Sequence, residues 1–112
     1  MPKLATRPYS RYSRDAVMLL GQLVRLGRIE RKLTLAELAA RAGVSRGLLQ
    51  RVERGDPGCT IGAVFEIAAI VGIPLFEADQ NTLTTGIIAN RKTLTLLPQS
   101  ARASRKAVKD DF

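Results

Sequence analysis

The ten residues SRGLLQRVER, 45–54, hold three arginines and a glutamine. With Leu49 and Val52 facing inward at helical spacing, Arg46, Gly47, Gln50 and Arg51 share the outward side. A guanidinium offers a rigid pair of donors that matches the O6 and N7 atoms of guanine, and a glutamine amide matches N6 and N7 of adenine. The segment therefore carries base-reading chemistry on the solvent face of a helix packed by its other side. Chemistry of other kinds is poorly supplied. The chain has no histidine and one cysteine, Cys59, so a histidine acid–base relay and a Cys/His zinc cluster are both excluded. It also shows no paired carboxylates on a shared face and no glycine-rich phosphate loop. We expect no catalytic residues, no metal site and no cofactor.

The charge balance agrees. The 112 residues carry 18 Lys and Arg against 10 Asp and Glu, a formal charge of +8, which points to a polyanionic partner. The charge is uneven. Residues 1–32 hold eight bases and two acids, residues 59–90 hold three acids and no base, and residues 91–112 hold six bases and two acids. A lone cysteine suits a reducing compartment. The opening MPKLATRPYSRYSR lacks the apolar core of a secretory signal. The longest apolar run, IGAVFEIAAIVGIPLF, has 16 residues including Glu66, short of a bilayer span. The expectation is a soluble, cytoplasmic protein with no membrane association.

The elements that must position residues 45–54 are short helices. Residues 1–14, with two prolines and no period, read as a basic N-terminal arm. Ser13 is the expected N-cap of a helix from Asp15, with Ala16, Leu19, Leu20, Leu23 and Val24 as its apolar stripe. Thr34 begins a second helix through the capping box TLAE, in which Thr34 reaches forward and Glu37 reaches back. Leu35, Leu38, Ala39 and Ala42 form one face of it, and Gly43 supplies a left-handed stop. Ser45 caps the third helix, Gly55 ends it, and GDPG is turn chemistry. Thr60 opens a fourth helix to about Val71. There Ile61, Val64, Phe65 and Ala68 make one apolar face, and Ala63, Ile67 and Ile70 make another. A helix apolar nearly all round is buried on both sides, and in so small a domain the second side is expected to meet another copy of the chain. A short helical turn follows Pro74. Residues 79–97 support either reading: Thr and Ile favour strand, while Leu83, Ile87 and Ile88 fit a helix, and helix is the reading adopted. Pro98 stops it, leaving a basic, flexible tail over 98–112. The domain proper spans 15–78.

Two helices joined by a short glycine-containing turn form a helix-turn-helix, whose second helix enters the DNA major groove. The segment LTLAELAARAGVSRGLLQRVERGDPGCTIGAVFEIAAIVGIPLF resembles the lambda-repressor-like, or XRE, helix-turn-helix family over roughly residues 16 to 76. The resemblance implies an all-α, five-helix DNA-binding domain, normally dimeric, on inverted-repeat operators in double-stranded DNA. It implies that Ser45–Arg54 is the recognition helix and that Arg46, Gly47 and Arg51 hold base-reading positions, with Gln50 nearby. Glu53 and Gly55 match the family's helix-ending pattern. Two positions depart from it. Leu35 stands where the family usually has glutamine, leaving the free N–H groups beside Thr34 to hold a phosphate. Gly47 replaces a polar side chain, and either permits close backbone approach to the duplex or leaves one base unread.

A narrower resemblance covers RGDPGCTIGAVFEIAAIVGIPLF and the basic tail ending in KDDF. These are similar to HipB-like antitoxins, which pair with HipA-type kinase toxins. The resemblance implies autoregulatory repression of the operon and neutralisation of a HipA-like toxin; a free-standing regulator of phage or metabolic type is the alternative. Other residues stay open at this stage. Arg25, Arg28, Arg31, Lys32 and Arg54 are either phosphate contacts or solubilising charges. The arm's Arg7, Tyr9, Arg11, Tyr12 and Arg14 either enter a minor groove, form a disordered tail or pack on the dimer. Cys59 reads as a small buried residue. Phe112, beside Asp110 and Asp111, is either a frayed end or an aromatic anchor for the partner protein.

Overall fold

A computed structural model describes residues 9–76 and 79–98. Among these, all regular structure is helical: α1 (Arg11–Glu30), α2 (Leu35–Ala42), α3 (Arg46–Glu53), α4 (Ile61–Ile70) and α5 (Gln80–Leu96). The chain divides into two units between Leu75 and Phe76. The first holds α1–α4 and the second holds α5. The expected all-α, five-helix architecture is therefore found.

In the first unit each helix contributes one large, fully buried side chain: Val24, Leu38, Leu49 and Ile67. Ala39, Val52 and Val71 complete the cluster, with Leu20, Leu35, Ala42 and Val44 partly buried around it. α1 packs on α3, and α2 packs on both α3 and α4. The stripe expected on α1 is corrected. Leu19, Leu23 and Ala16 are exposed, and the buried line runs through Leu20, Gly21, Val24 and Gly27. A Cβ at position 21 would collide with the Val52 carbonyl oxygen and lie 2.9 Å from that of Glu53. The absence of a side chain is thus what lets α1 lie against the end of α3.

Side-chain caps begin four of the five helices, though not always the ones expected. α1 starts four residues before Asp15, with Ser10 rather than Ser13 as N-cap; the Ser10 hydroxyl accepts from the Ser13 N–H at 3.1 Å. Arg11, Tyr12 and Arg14 therefore belong to α1 and not to an arm, while Arg7 lies outside the described residues. The capping box at Thr34 and Glu37 is present in both directions, at 3.0 and 2.8 Å. Ser45 accepts from the Leu48 N–H at 3.0 Å. Thr60 occupies the N-cap of α4 without a side-chain bond. On α4 the faces divide differently from expectation: Ile67, Ala68 and Val71 are buried with Val64 alongside, while Ile61 and Phe65 are exposed. No helical turn follows Pro74 within the described residues. In the second unit residues 80–96 are helical, as adopted, with Asp79 as cap to the Thr82 N–H at 2.8 Å. α5 ends before Pro98, and the tail beyond it, Phe112 included, lies outside the described residues.

All four helices of the first unit close the same way. One or two residues past the helix the chain turns left-handed, and the next N–H reaches back to a carbonyl five residues earlier: Leu33 to Arg28, Val44 to Ala39, Asp56 to Arg51 and Ile73 to Ala68. Three of the left-handed residues are Gly43, Gly55 and Gly72, and the fourth is Lys32 at φ 58°. Lys32 alone carries a Cβ into a conformation that penalises one.

One ion pair crosses this unit. Arg28 Nε donates to Glu53 Oε2 at 2.7 Å and Nη2 to Oε1 at 3.2 Å, a bidentate fork. Nη1 donates to the Leu33 carbonyl at 3.0 Å. The side chains are 12% and 8% exposed. A single guanidinium thus joins α1, the α1–α2 turn and the end of α3, and the reading of Arg28 as a phosphate contact or solubilising charge is replaced by a structural one.

Two stability changes follow. Arg28→Ala should destabilise the protein by about 3–5 kcal/mol in urea unfolding, because it strands the Glu53 carboxylate. Arg28→Met combined with Glu53→Leu should recover most of that loss; an equally unstable double variant would show that the charge is not what matters. Lys32→Gly should raise stability by about 0.5–1 kcal/mol, the left-handed penalty less the added freedom of the unfolded chain. A loss of stability on that change would contradict the strain at position 32.

Candidate nucleic-acid interface

The helix starts of α2 and α3 open onto one surface groove of about 780 Å³, lined by Thr34, Leu35, Ala36, Ser45, Arg46, Gly47 and Gln50. Five of the residues singled out from the sequence meet there: Thr34, Ser45, Arg46, Gly47 and Gln50. Local chemistry puts them there. Thr34 and Ser45 must stand at helix starts because their hydroxyls satisfy first-turn N–H groups. The N–H groups of Leu35, Ala36, Arg46 and Gly47 precede the first intrahelical bonds, so their partial positive charge is offered to the groove.

Arg46 and Gln50 are one turn apart on α3 and both exposed, whereas Leu49 and Val52 are buried beneath them. The inward and outward division drawn from the sequence is therefore observed for these positions. Gly47 is also exposed, and a Cβ added there would meet only the Ser45 hydroxyl, at 3.9 Å. Nothing among the described residues demands glycine at this position. Leu35, where the resemblance led us to look for glutamine, is partly buried against the core while still edging the groove.

A smaller recess of about 240 Å³ adjoins the end of α3, lined by Arg25, Arg28, Leu35, Gln50, Glu53 and Arg54. Arg25 and Arg54 are exposed. Glu53 is neutralised by Arg28, so the cationic character of this rim survives the carboxylate in its midst.

Arg51 is placed differently from Arg46. Its Nε donates to Asp56 Oδ2 at 2.9 Å, and its Nη2 lies 3.5 Å from the Gly58 carbonyl as a long donor contact. Asp56 Oδ1 also accepts from the Gly58 N–H at 2.8 Å. The Asp56 carboxyl is held below its ordinary range, first by the Gly58 N–H and then by Arg51, and the Arg51 guanidinium is pushed higher by the bond to Asp56. The sequence did not single out Asp56. Its position five residues after an arginine, inside GDPG, was the available signal, and it was read there as turn chemistry alone. Cys59 follows this turn, partly buried and packed against the core; burial pushes its thiol up, away from the thiolate that redox chemistry requires.

Among the described residues, no helix is long and apolar enough to cross a membrane, and no group of His, Cys, Asp and Glu is arranged to hold a metal ion. A search of curated proteins finds none that matches the chain. A family model described as a helix-turn-helix domain matches residues 19–80, from within α1 to the first residue of α5. That span covers the capped helix pair, the shared groove and the core beneath them, and the chain belongs to the helix-turn-helix domain family, with the all-α fold of the lambda-repressor-like DNA-binding domains.

Proposed function

We propose that this protein is a sequence-specific transcriptional repressor that binds an inverted-repeat operator as a homodimer and acts by binding rather than catalysis, in the cytoplasm. The observation that carries this reading is the shared groove, where two helix starts and the side chains of Arg46 and Gln50 converge. In this reading α3 lies in the major groove. Arg46 reads a guanine and Gln50 an adenine, while the starts of α2 and α3 hold phosphates. Gly47, free of any internal demand for glycine, brings the α3 backbone close to the duplex. Arg25 and Arg54 add phosphate contacts on the rim. Ile61, 74% exposed on the outer side of α4, supports a second copy pairing through that helix.

The finer reading is that of an antitoxin that represses its own operon and neutralises a HipA-like kinase toxin. It is supported by the resemblance of residues 54–76 and of the tail ending in Phe112 to HipB-like proteins. Co-expression with the product of the adjacent gene tests it. Co-purification with a kinase-fold protein and relief of its growth arrest are the expected results. Absence of both would leave a free-standing regulator as the function.

For DNA binding itself, Arg46→Ala should cost on the order of 1–3 kcal/mol and relax preference at one base position per half-site. The measurement is binding to duplexes selected from a random pool by the wild-type protein. Footprints should fall on one face of the duplex with centres roughly 34 Å apart. A variant with unchanged affinity and preference would remove Arg46 from base reading, and protection of a single half-site would remove the homodimer.

A further inference from the structure

We propose that Asp56 holds Arg51 away from DNA and so sets the sequence-independent part of the domain's affinity. This rests on the DNA-binding reading above and concerns how that surface is regulated. α3 ends with two cations, Arg51 and Arg54, and they are treated differently. Arg54 is exposed beside the recess that adjoins Gln50. Arg51 is engaged by Asp56 Oδ2 at 2.9 Å and sits near the Gly58 carbonyl at 3.5 Å, although its side chain remains 44% exposed. The restraint is built into the turn. Asp56 is itself fixed by the Gly58 N–H at 2.8 Å, and the Asp56 N–H closes α3 on the Arg51 carbonyl at 3.0 Å. The backbone therefore delivers the carboxylate to the arginine, and the Arg51 side chain is the long flexible group to be ordered in forming the pair.

The direction in which Arg51 leaves α3 says what it would do if released. Arg46 and Gln50 are four residues apart and nearly superposed along the helix. Arg51 stands one turn beyond Gly47, about 40° from it around the axis at 100° per residue. A recognition helix meets base edges with its N-terminal residues, so an arginine near the C-terminal end of an eight-residue helix, beyond Arg46 and Gln50, is directed toward the sugar–phosphate backbone. Contacts there strengthen binding without carrying sequence information.

Asp56→Asn separates this role from the turn. The asparagine carbonyl can still accept from the Gly58 N–H, but the charge that captures Arg51 is gone. With a random-sequence duplex of about 24 base pairs, Asp56→Asn should bind roughly 3–10-fold tighter near 50 mM salt. Its log–log salt dependence should steepen by about one per protomer. Duplexes selected by the wild-type protein should gain by the same factor. Circular dichroism and the unfolding midpoint confirm that the variant is folded; if Asp56→Asn is not folded, Asp56→Ala replaces it in the same comparison.

The same substitution in an Arg51→Ala background decides the cause. Loss of the gain in that background is the expected result and identifies Arg51 as the released group. Persistence of the gain would mean that removing a nearby negative charge is sufficient, and the proposal would be wrong. An unchanged affinity in folded Asp56→Asn, with salt-sensitive binding by the wild type, would overturn the proposal and leave the DNA-binding reading standing. A gain confined to the selected duplexes would likewise overturn it, by making Arg51 a base reader. Wild-type protein that binds neither duplex at any salt would sink both.

Discussion

The part-buried fork between Arg28 and Glu53 is the interaction on which the rest of the first unit depends. Three hydrogen bonds from its guanidinium tie together three places in the chain: the last turn of α1, the turn before α2 and the last turn of α3. Charges in such a position lose much of their hydration, so the pair contributes less net stability than its geometry suggests. What it contributes is position. A bidentate pair tolerates little rotation or translation of one helix against the other. The fork also holds only because α1 lies unusually close, with Gly21 against the carbonyls of Val52 and Glu53. Close approach and ion pair are two halves of one constraint that fixes where α3 lies.

That constraint also sorts the charges. Three arginines lie within residues 46–54, and the structure assigns them unlike surroundings. Arg46 is exposed on the groove, Arg51 is engaged by a carboxylate of its own turn, and Arg54 stands on the rim. Glu53, which would otherwise place a negative charge among them, is neutralised from below by Arg28. Net charge predicts a polyanionic partner without distinguishing among these roles. The distinction comes from whether a carboxylate is delivered by the backbone, as at Asp56, or by a facing helix, as at Glu53.

The parts of this arrangement that were legible in the sequence are those decided within a few residues. Thr34 with Glu37, Ser45, Gly43 and Gly55 act on their own helix ends, and each stands where local chemistry puts it. Leu38, Leu49 and Val52 were legible because their helices bury a single face. The stripe on α1 was misread because its contact line is built partly from Gly21 and Gly27, which a hydrophobic period does not register. Leu19 and Leu23 carried that period instead, and they are exposed. The start of α1 was misplaced because Ser10 and Ser13 are both competent caps, and the sequence between them offers no penalty against the earlier one. Arg28 and Glu53 are 25 residues apart, and nothing local to either announces the other. α5 was ambiguous for a related reason. Its Thr and Ile content favours strand, and all of its residues are exposed, so no buried face was present to decide the period.

An eight-residue helix does not persist alone in water, since the cost of nucleation is not recovered over two turns. α3 is therefore a tertiary product. It is held by Leu49 and Val52 below, by Ser45 at one end and by the left-handed closure at Gly55 at the other. Its direction is set by a pair of charges that never touch the groove. A surface that reads bases, as proposed for this one, requires side chains held to a fraction of an ångström, and that precision originates in α1, packed directly against α3. The short separation between core and interface leaves little room for compensation. A change at Gly21 or Arg28 displaces Arg46 and Gln50 together, so loss of the proposed base discrimination and loss of stability have a common origin even though the residues responsible for each are different.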